Sequence, residues 1–134
     1  MREILFRGKD YMGNWTIGNL IVDEGGDCNI VESKAVEKDG YYLCFNADNP
    51  LWVENSTVGQ YTGVKDKNGT RIFEGDIVEM PRYGGGKHKS LVYFSGGKFA
   101  VDGSNYSHKD ICARRMKVIG NIYDNPELMK EVEK

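Results

Sequence analysis

Glu74 and Asp76 stand two residues apart on either side of Gly75, a spacing at which one carboxylate could give a proton and the other take it. On a strand–turn–strand connection, however, an Asp beside Gly more often accepts local backbone N–H groups and fixes the turn. That is the reading we favour. Ser107, His108 and Asp110 include the residue types of a nucleophile–base–acid set, but they are close only in sequence, and nothing suggests an oxyanion hole. The cysteines Cys28, Cys44 and Cys112 are odd in number and lack a C-x-x-C spacing, so buried free thiols are expected. Two of them with His88 and His108 would make four metal ligands, a combination the spacing does not support. The run Tyr83-Gly84-Gly85-Gly86-Lys87-His88-Lys89 has bare backbone N–H groups that could surround an anion. A Walker loop would need Ser or Thr after the Lys and a following helix, and neither is present. The expectation is a non-enzyme without metal or cofactor.

Charge narrows the partners. The net charge is only −2, but residues 1–78 hold 8 Lys/Arg against 13 Asp/Glu, and residues 79–120 hold 8 against 3. Such a division suits either an anionic partner for the basic segment or subunits that attract one another. For the first case the cations are Arg82, Lys87, Lys89, Arg114, Arg115 and Lys117, with His88 among them and Tyr83, Tyr93 or Tyr106 as stacking faces. A pI near 5.7 argues against strong nucleic-acid binding. No apolar run approaches the ~20 residues of a membrane helix, and Arg2-Glu3 leads into no apolar leader, so a cytoplasmic location is expected. The four N-x-S/T sequons therefore carry no weight.

The elements that position these groups centre on residues 57–78. Asn68-Gly69 is the strongest short-range signal for a two-residue type I′ hairpin. In that register Lys67 faces Thr70, Asp66 faces Arg71 and Val64 faces Phe73, which matches charges and apolar groups across the strands. Glu74-Gly75-Asp76 should break the strand, and Ile77 to Arg82 should form the next, ended near Pro81.

Three pieces of this sequence resemble the YopX-like family, encoded mostly by phages and prophages. They are the start from Met1 to Arg7, the central GQYTG, KDKNG and EGDIV, and Val118 to Tyr123 followed by Asn125 to Leu128. The signature positions are Gly59, Tyr61, Gly63, Asp66, Asn68, Gly69, Glu74, Gly75 and Asp76. The resemblance implies a small SH3-type β-barrel core, self-association into a homo-oligomer, and a phage or prophage origin. It carries over no activity.

Elsewhere, strands are expected over Glu3–Arg7, Trp15–Val22 with Gly18 as a bulge, 29–36 and Tyr41–Phe45, the last after an Asp39-Gly40 turn. Gly8–Asn14, Asp23–Asp27 and 46–55 read as turns or loops, and the two tryptophans as core-closing side chains. Ser90–Ser95 and Lys98–Asp102 should pair across Gly96-Gly97, and Ile111–Arg115 and Met116–Tyr123 should supply the last strands. Asn125, Pro126 and Glu127 suit the start of a short C-terminal helix whose Leu128, Met129 and Val132 must dock on something. Short strands with frequent turns favour a mainly β plan. It divides into an N-terminal β region (1–54), a barrel core (55–124) and the helix (125–134).

Two functions fit: a self-associating accessory module that binds another protein, or a nucleic-acid binder using the basic segment. The fold does not choose between them, but the mildly acidic pI counts against strong nucleic-acid binding and puts the first reading ahead. The turn does make one prediction. Gly69→Val forces a β-branched residue to positive φ, so it should cost about 1–3 kcal/mol and lower the melting temperature. An unchanged thermal melt would reject the left-handed turn.

Overall fold

The computed structural model describes residues 3–31, 36–38, 41–43, 51–82, 84–103, 106–110 and 113–132. They form a mainly β chain of two compact units, Met1–Gln60 and Tyr61–Lys134. The paired strands are antiparallel throughout, and none of the sheets closes into a barrel among the described residues.

In the first unit, β1 (Phe6–Lys9), β2 (Trp15–Val22), β3 (Cys28–Val31) and β6 (Leu51–Trp52) pair in the order β6-β3-β2-β1. β7 (Gly59–Lys65) starts beside β1, with Gly59 opposite Arg7. A separate pair joins β4 (Val36–Lys38) to β5 (Tyr41–Leu43), flanking the expected Asp39-Gly40 turn, which itself lies outside the described residues. Residues 32–35 and 44–50 also lie outside them. Cys28, Ile30 and Val53 form the core, with Phe6, Leu20 and Val58 against it.

The first strand is Phe6–Lys9 rather than Glu3–Arg7 and carries on through Gly8. A Cβ on Gly8 would stand 2.9 Å from the Val53 side chain, so this closely packed position excludes any larger residue. Gly18 is no bulge, since it pairs in regular register with Phe6.

The second unit holds the end of β7 and β8 (Arg71–Phe73), β9 (Asp76–Pro81), β10 (Lys87–Leu91) and β11 (Tyr93–Ser95). β12 (Lys98–Gly103), β13 (Tyr106–Asp110) and β14 (Lys117–Asn121) complete it. Two three-stranded sheets result, β10-β9-β14 and β11-β12-β13. Ile72, Val78, Met80, Val92, Val101 and Met116 form the core. The two-residue hairpin with both central residues at positive φ occurs at Gly96-Gly97, with Ser95 opposite Lys98.

Four expectations for this unit need correction. Lys87, His88 and Lys89 are strand rather than loop, because their register with β9 places His88 and Ser90 beside Met80 and Val78 on the buried face. Ala113–Arg115 is a 3₁₀ turn rather than strand, and residues 111–112 lie outside the described residues. The last strand is Lys117–Asn121. The C-terminal segment, Pro126–Glu131, is 3₁₀ rather than α. Asn125 makes no side-chain cap, because its Oδ1 accepts the Asn121 N–H instead. The segment docks on its own unit, through a Lys89–Val132 bridge and a Lys89–Glu131 ion pair.

The Asn68-Gly69 register is also corrected. Tyr61 pairs with Phe73 and Lys65 with Arg71, with an irregularity between them where Gly63 has φ +91°. The loop has five residues, Asp66 to Thr70. Asp66 N–H donates to Thr70 O, and Gly69 N–H to Asp66 O, while Gly69 takes φ +83°. Asp66 Oδ1 accepts the N–H groups of Asn68 and Thr70 at 2.8 and 2.9 Å. Those side-chain bonds select this loop over the tighter turn.

The same loop occurs twice more. Asp10 accepts from Met12 and Asn14, and Asp23 from Gly25 and Asp27, each at 2.9 Å. Gly13 and Gly26 take positive φ at the fourth position, as Gly69 does. The recurring pattern is Asp-x-x-Gly-x. Only Asp66 is buried, and only its loop ties into another strand: Oδ2 accepts the Val118 N–H at 2.9 Å, and Lys67 N–H reaches Met116 O.

Burial raises the Asp66 pKa, but the N–H bonds from Val118, Thr70 and Asn68, with the charge of Lys67, outweigh it and hold the carboxyl below its ordinary value. A depressed folded pKa stabilises the protein above the unfolded value, about 3.9, and that gain is lost as pH falls through the folded one. The melting temperature should therefore drop on acidification below about pH 4, less steeply in Asp66→Asn. At neutral pH, Asp66→Ala should cost about 2–3 kcal/mol and Asp23→Ala about 1, measured by urea unfolding. Equal costs would refute the special place of Asp66.

Candidate functional site

Asp76 is 1% exposed, and its Oδ2 accepts the Phe73 N–H at 2.7 Å. Its carbonyl accepts Val92 N–H, while Gly75 donates to Val92 O and accepts from Ile122. A side chain on Gly75, at φ +87°, would meet the Tyr123 ring. Gly75 and Asp76 therefore form a backbone knot linking β8, β9, Val92 and Ile122, just past β14. Glu74 beside it is half-buried.

The other signature residues lie along β7 and its connection to β8. Gly59 sits opposite Arg7, and Tyr61 meets Phe73 at 5.5 Å between ring centroids, with the Arg71 guanidinium 5.7 Å from the Tyr61 ring. Gly63, Asp66, Asn68 and Gly69 shape the β7–β8 connection.

On the β10-β9-β14 sheet Lys89 and Lys117 flank Glu79 on adjacent strands, so some of the basic residues share one face with an acid between them. Lys87 pairs with Glu79 and Lys89 with Glu131, each at 3.3 Å. His88 is 4% exposed. Arg82 is exposed beyond the end of β9, and Arg114, Arg115 and Lys117 are exposed around the 3₁₀ turn and the start of β14. Tyr93 is half-buried, Tyr83 lies outside the described residues, and nothing is described of the Tyr106 side chain. Cys28 is buried and free. Among the described residues no cluster of three metal-binding side chains occurs. Cys44 and Cys112 lie outside them, as do the side chains of Ser107, His108 and Asp110.

The sequence reading missed a cleft of about 470 Å³ in the first unit, lined by Lys9, Asp10, Tyr11, Trp52, Val53 and Glu54. Glu54 N–H donates to Lys9 O at 2.8 Å and Lys9 N–H to Thr57 Oγ1 at 2.9 Å, fixing the two walls. The Asp10 loop lifts Tyr11 and Met12 into solvent, 92% and 69% exposed. Trp52 is 59% exposed, which corrects its expected place in the core. Its partner across the strands is Asn29, and its neighbour Val53 is the one turned inward.

One signal for this cleft was present in the sequence. The second and third positions of the Asp-x-x-Gly-x loop face water. They hold Glu24-Gly25 and Lys67-Asn68 in two loops but Tyr11-Met12 in the third. Nearby, the Arg7 guanidinium lies 4.5 Å and the Lys9 ammonium 5.4 Å from the Trp15 ring centroid. The first unit thus already uses an aromatic face to hold cations.

Comparison with known proteins agrees with this architecture. The structure resembles that of protein EF1440 from Enterococcus faecalis, with a TM-score of 0.62 and 24% identity, over 96% of this chain and 99% of that one. At that identity the likeness bears on fold alone. No curated protein matches the sequence. The family model described as "YopX protein" matches residues 6–130, nearly the whole chain. The chain belongs to the YopX family.

Proposed function

We propose that this chain is a non-catalytic, self-associating binding module, a phage or prophage accessory protein working in the bacterial cytoplasm. The second unit, on this reading, is an opened variant of the SH3-type barrel. The observation that carries the proposal is the division of charge between the two units. Residues 1–60 hold 5 Lys/Arg against 10 Asp/Glu, and residues 61–134 hold 13 against 10. Opposite charges on two units of one chain favour head-to-tail contact between copies. The non-catalytic part is supported by the carboxylates of Asp66 and Asp76, both committed to backbone N–H groups. Family membership supports the phage setting.

A second reading, nucleic-acid binding, is favoured by the exposed Arg114, Arg115 and Lys117. It is weakened where Lys87 and Lys89 are already paired with acids and His88 is buried.

Light scattering on a size-exclusion peak tests the first reading. We expect a mass above the monomer at tens of micromolar protein, falling as salt is raised. A monomer at both low and moderate salt would refute self-association. Anisotropy with labelled single-stranded DNA and RNA on the same sample tests the second. Three phosphate contacts would give a log–log salt slope of about −2. We expect no binding to titrate.

A further inference from the structure

We infer that the Trp52–Tyr11 cleft binds the cationic side chain, Lys or Arg, of a basic peptide segment on another protein. This deepens the binding-module reading and rests on it. Three features of the cleft point to a cation. It is an open depression of about 470 Å³, with room for one long side chain. Two of its walls are exposed aromatic residues, Trp52 and Tyr11, whose ring faces attract cations. Its polar lining is mainly acidic, with Asp10 and Glu54 against Lys9.

The charges around the cleft favour a basic partner. Asp10 Oδ1 holds its own loop together, so this carboxylate is fixed in place while its charge still acts on the cleft. Glu54 Oε1 accepts the Ser56 hydroxyl at 3.3 Å, an exposed contact that leaves the side chain at the rim. The one cation, Lys9, lies over the Trp15 ring. The unit as a whole holds twice as many acids as bases, which draws a basic segment and repels an acidic one. An anionic or purely apolar ligand would gain nothing from this field.

The probe is a fluorescein-labelled ten-residue peptide of alternating Lys and Ser, read by anisotropy at low salt against the full chain. A matched peptide with every Lys acetylated keeps the stems and loses the charge. We expect sub-millimolar binding of the Lys peptide and at least about ten-fold weaker binding of its acetylated form. Trp52→Ala should weaken binding about five-fold or more, Tyr11→Ala less, and Glu54→Gln about two- to three-fold. Thermal melts of the three variants control for folding, and their exposed positions predict melts close to the parent's.

A flat titration up to about 1 mM peptide, a weak limit for specific recognition, would overturn the inference. Equal binding of the acetylated peptide, or binding unchanged by Trp52→Ala, would do the same. If Trp52→Ala instead converts an oligomer to monomers, a second copy occupies the cleft and the inference also fails. None of the peptide results alters the parent chain's mass measurement, so failure here and failure of self-association are read separately.

Discussion

Backbone N–H groups that turn away from a sheet must find acceptors, and in this protein short aspartate side chains supply many of them. An Asp at the first position of a five-residue loop accepts two N–H groups, and a glycine at the fourth takes the left-handed conformation that closes it. Asp10 and Asp23 perform this locally. Asp66 does more, because its second oxygen reaches the N–H of Val118, fifty-two residues on, from a buried position. One carboxylate thereby fixes a loop, its register and its attachment to the strand after the 3₁₀ turn. Asp76 uses a different arrangement at the next corner, where its carboxylate accepts the Phe73 N–H three residues back and its backbone pairs with Val92. In the central motif, Asp66 and Asp76 both act as acceptors for backbone N–H groups.

What the sequence revealed follows from how local each feature is. Trp15–Val22 and the Gly96-Gly97 hairpin were legible because alternation and turn chemistry decide them. The left-handed Gly69 was legible too, but the register around it was not. The Asn-Gly dipeptide outweighed an Asp two positions earlier, although side-chain acceptance by that Asp sets the loop length. Lys87-His88-Lys89 read as a polar loop, since only pairing with β9 turns His88 toward Met80. At the C-terminus, Asn125 had the right type for a cap, yet its oxygen is taken by the Asn121 N–H, and the segment tightens to 3₁₀. The β1 boundary moved too, and the strand carries on through Gly8.

The candidate site was the least legible part, because it depends on which apolar residues stay outside the core. Among the basic residues, ion pairing divides the set: Glu79 and Glu131 neutralise Lys87 and Lys89, while Arg114, Arg115 and Lys117 stay exposed. A counted basic segment therefore overstates the cationic surface. In the first unit Asp and Glu outnumber Lys and Arg two-fold in the sequence. On the proposed reading, an acidic unit bearing exposed aromatic groups selects partners by charge and holds them by ring contact.

The edge beside the cleft limits how such a partner could be held. β6 has two residues and stands at the end of its sheet among the described residues. Among the described residues this edge offers few backbone N–H and C=O groups for an incoming strand, and short edges are one way natural sheets avoid edge-to-edge aggregation. Recognition by strand addition needs a longer free edge than this. Trp52 nevertheless sits on that edge, more than half exposed, with the Asp10 loop presenting Tyr11 beside it. Side-chain surface, rather than backbone, is what this edge offers, and a partner that inserts a single long cationic side chain uses it fully. The same geometry that blunts the edge against aggregation thus leaves room for a selective contact.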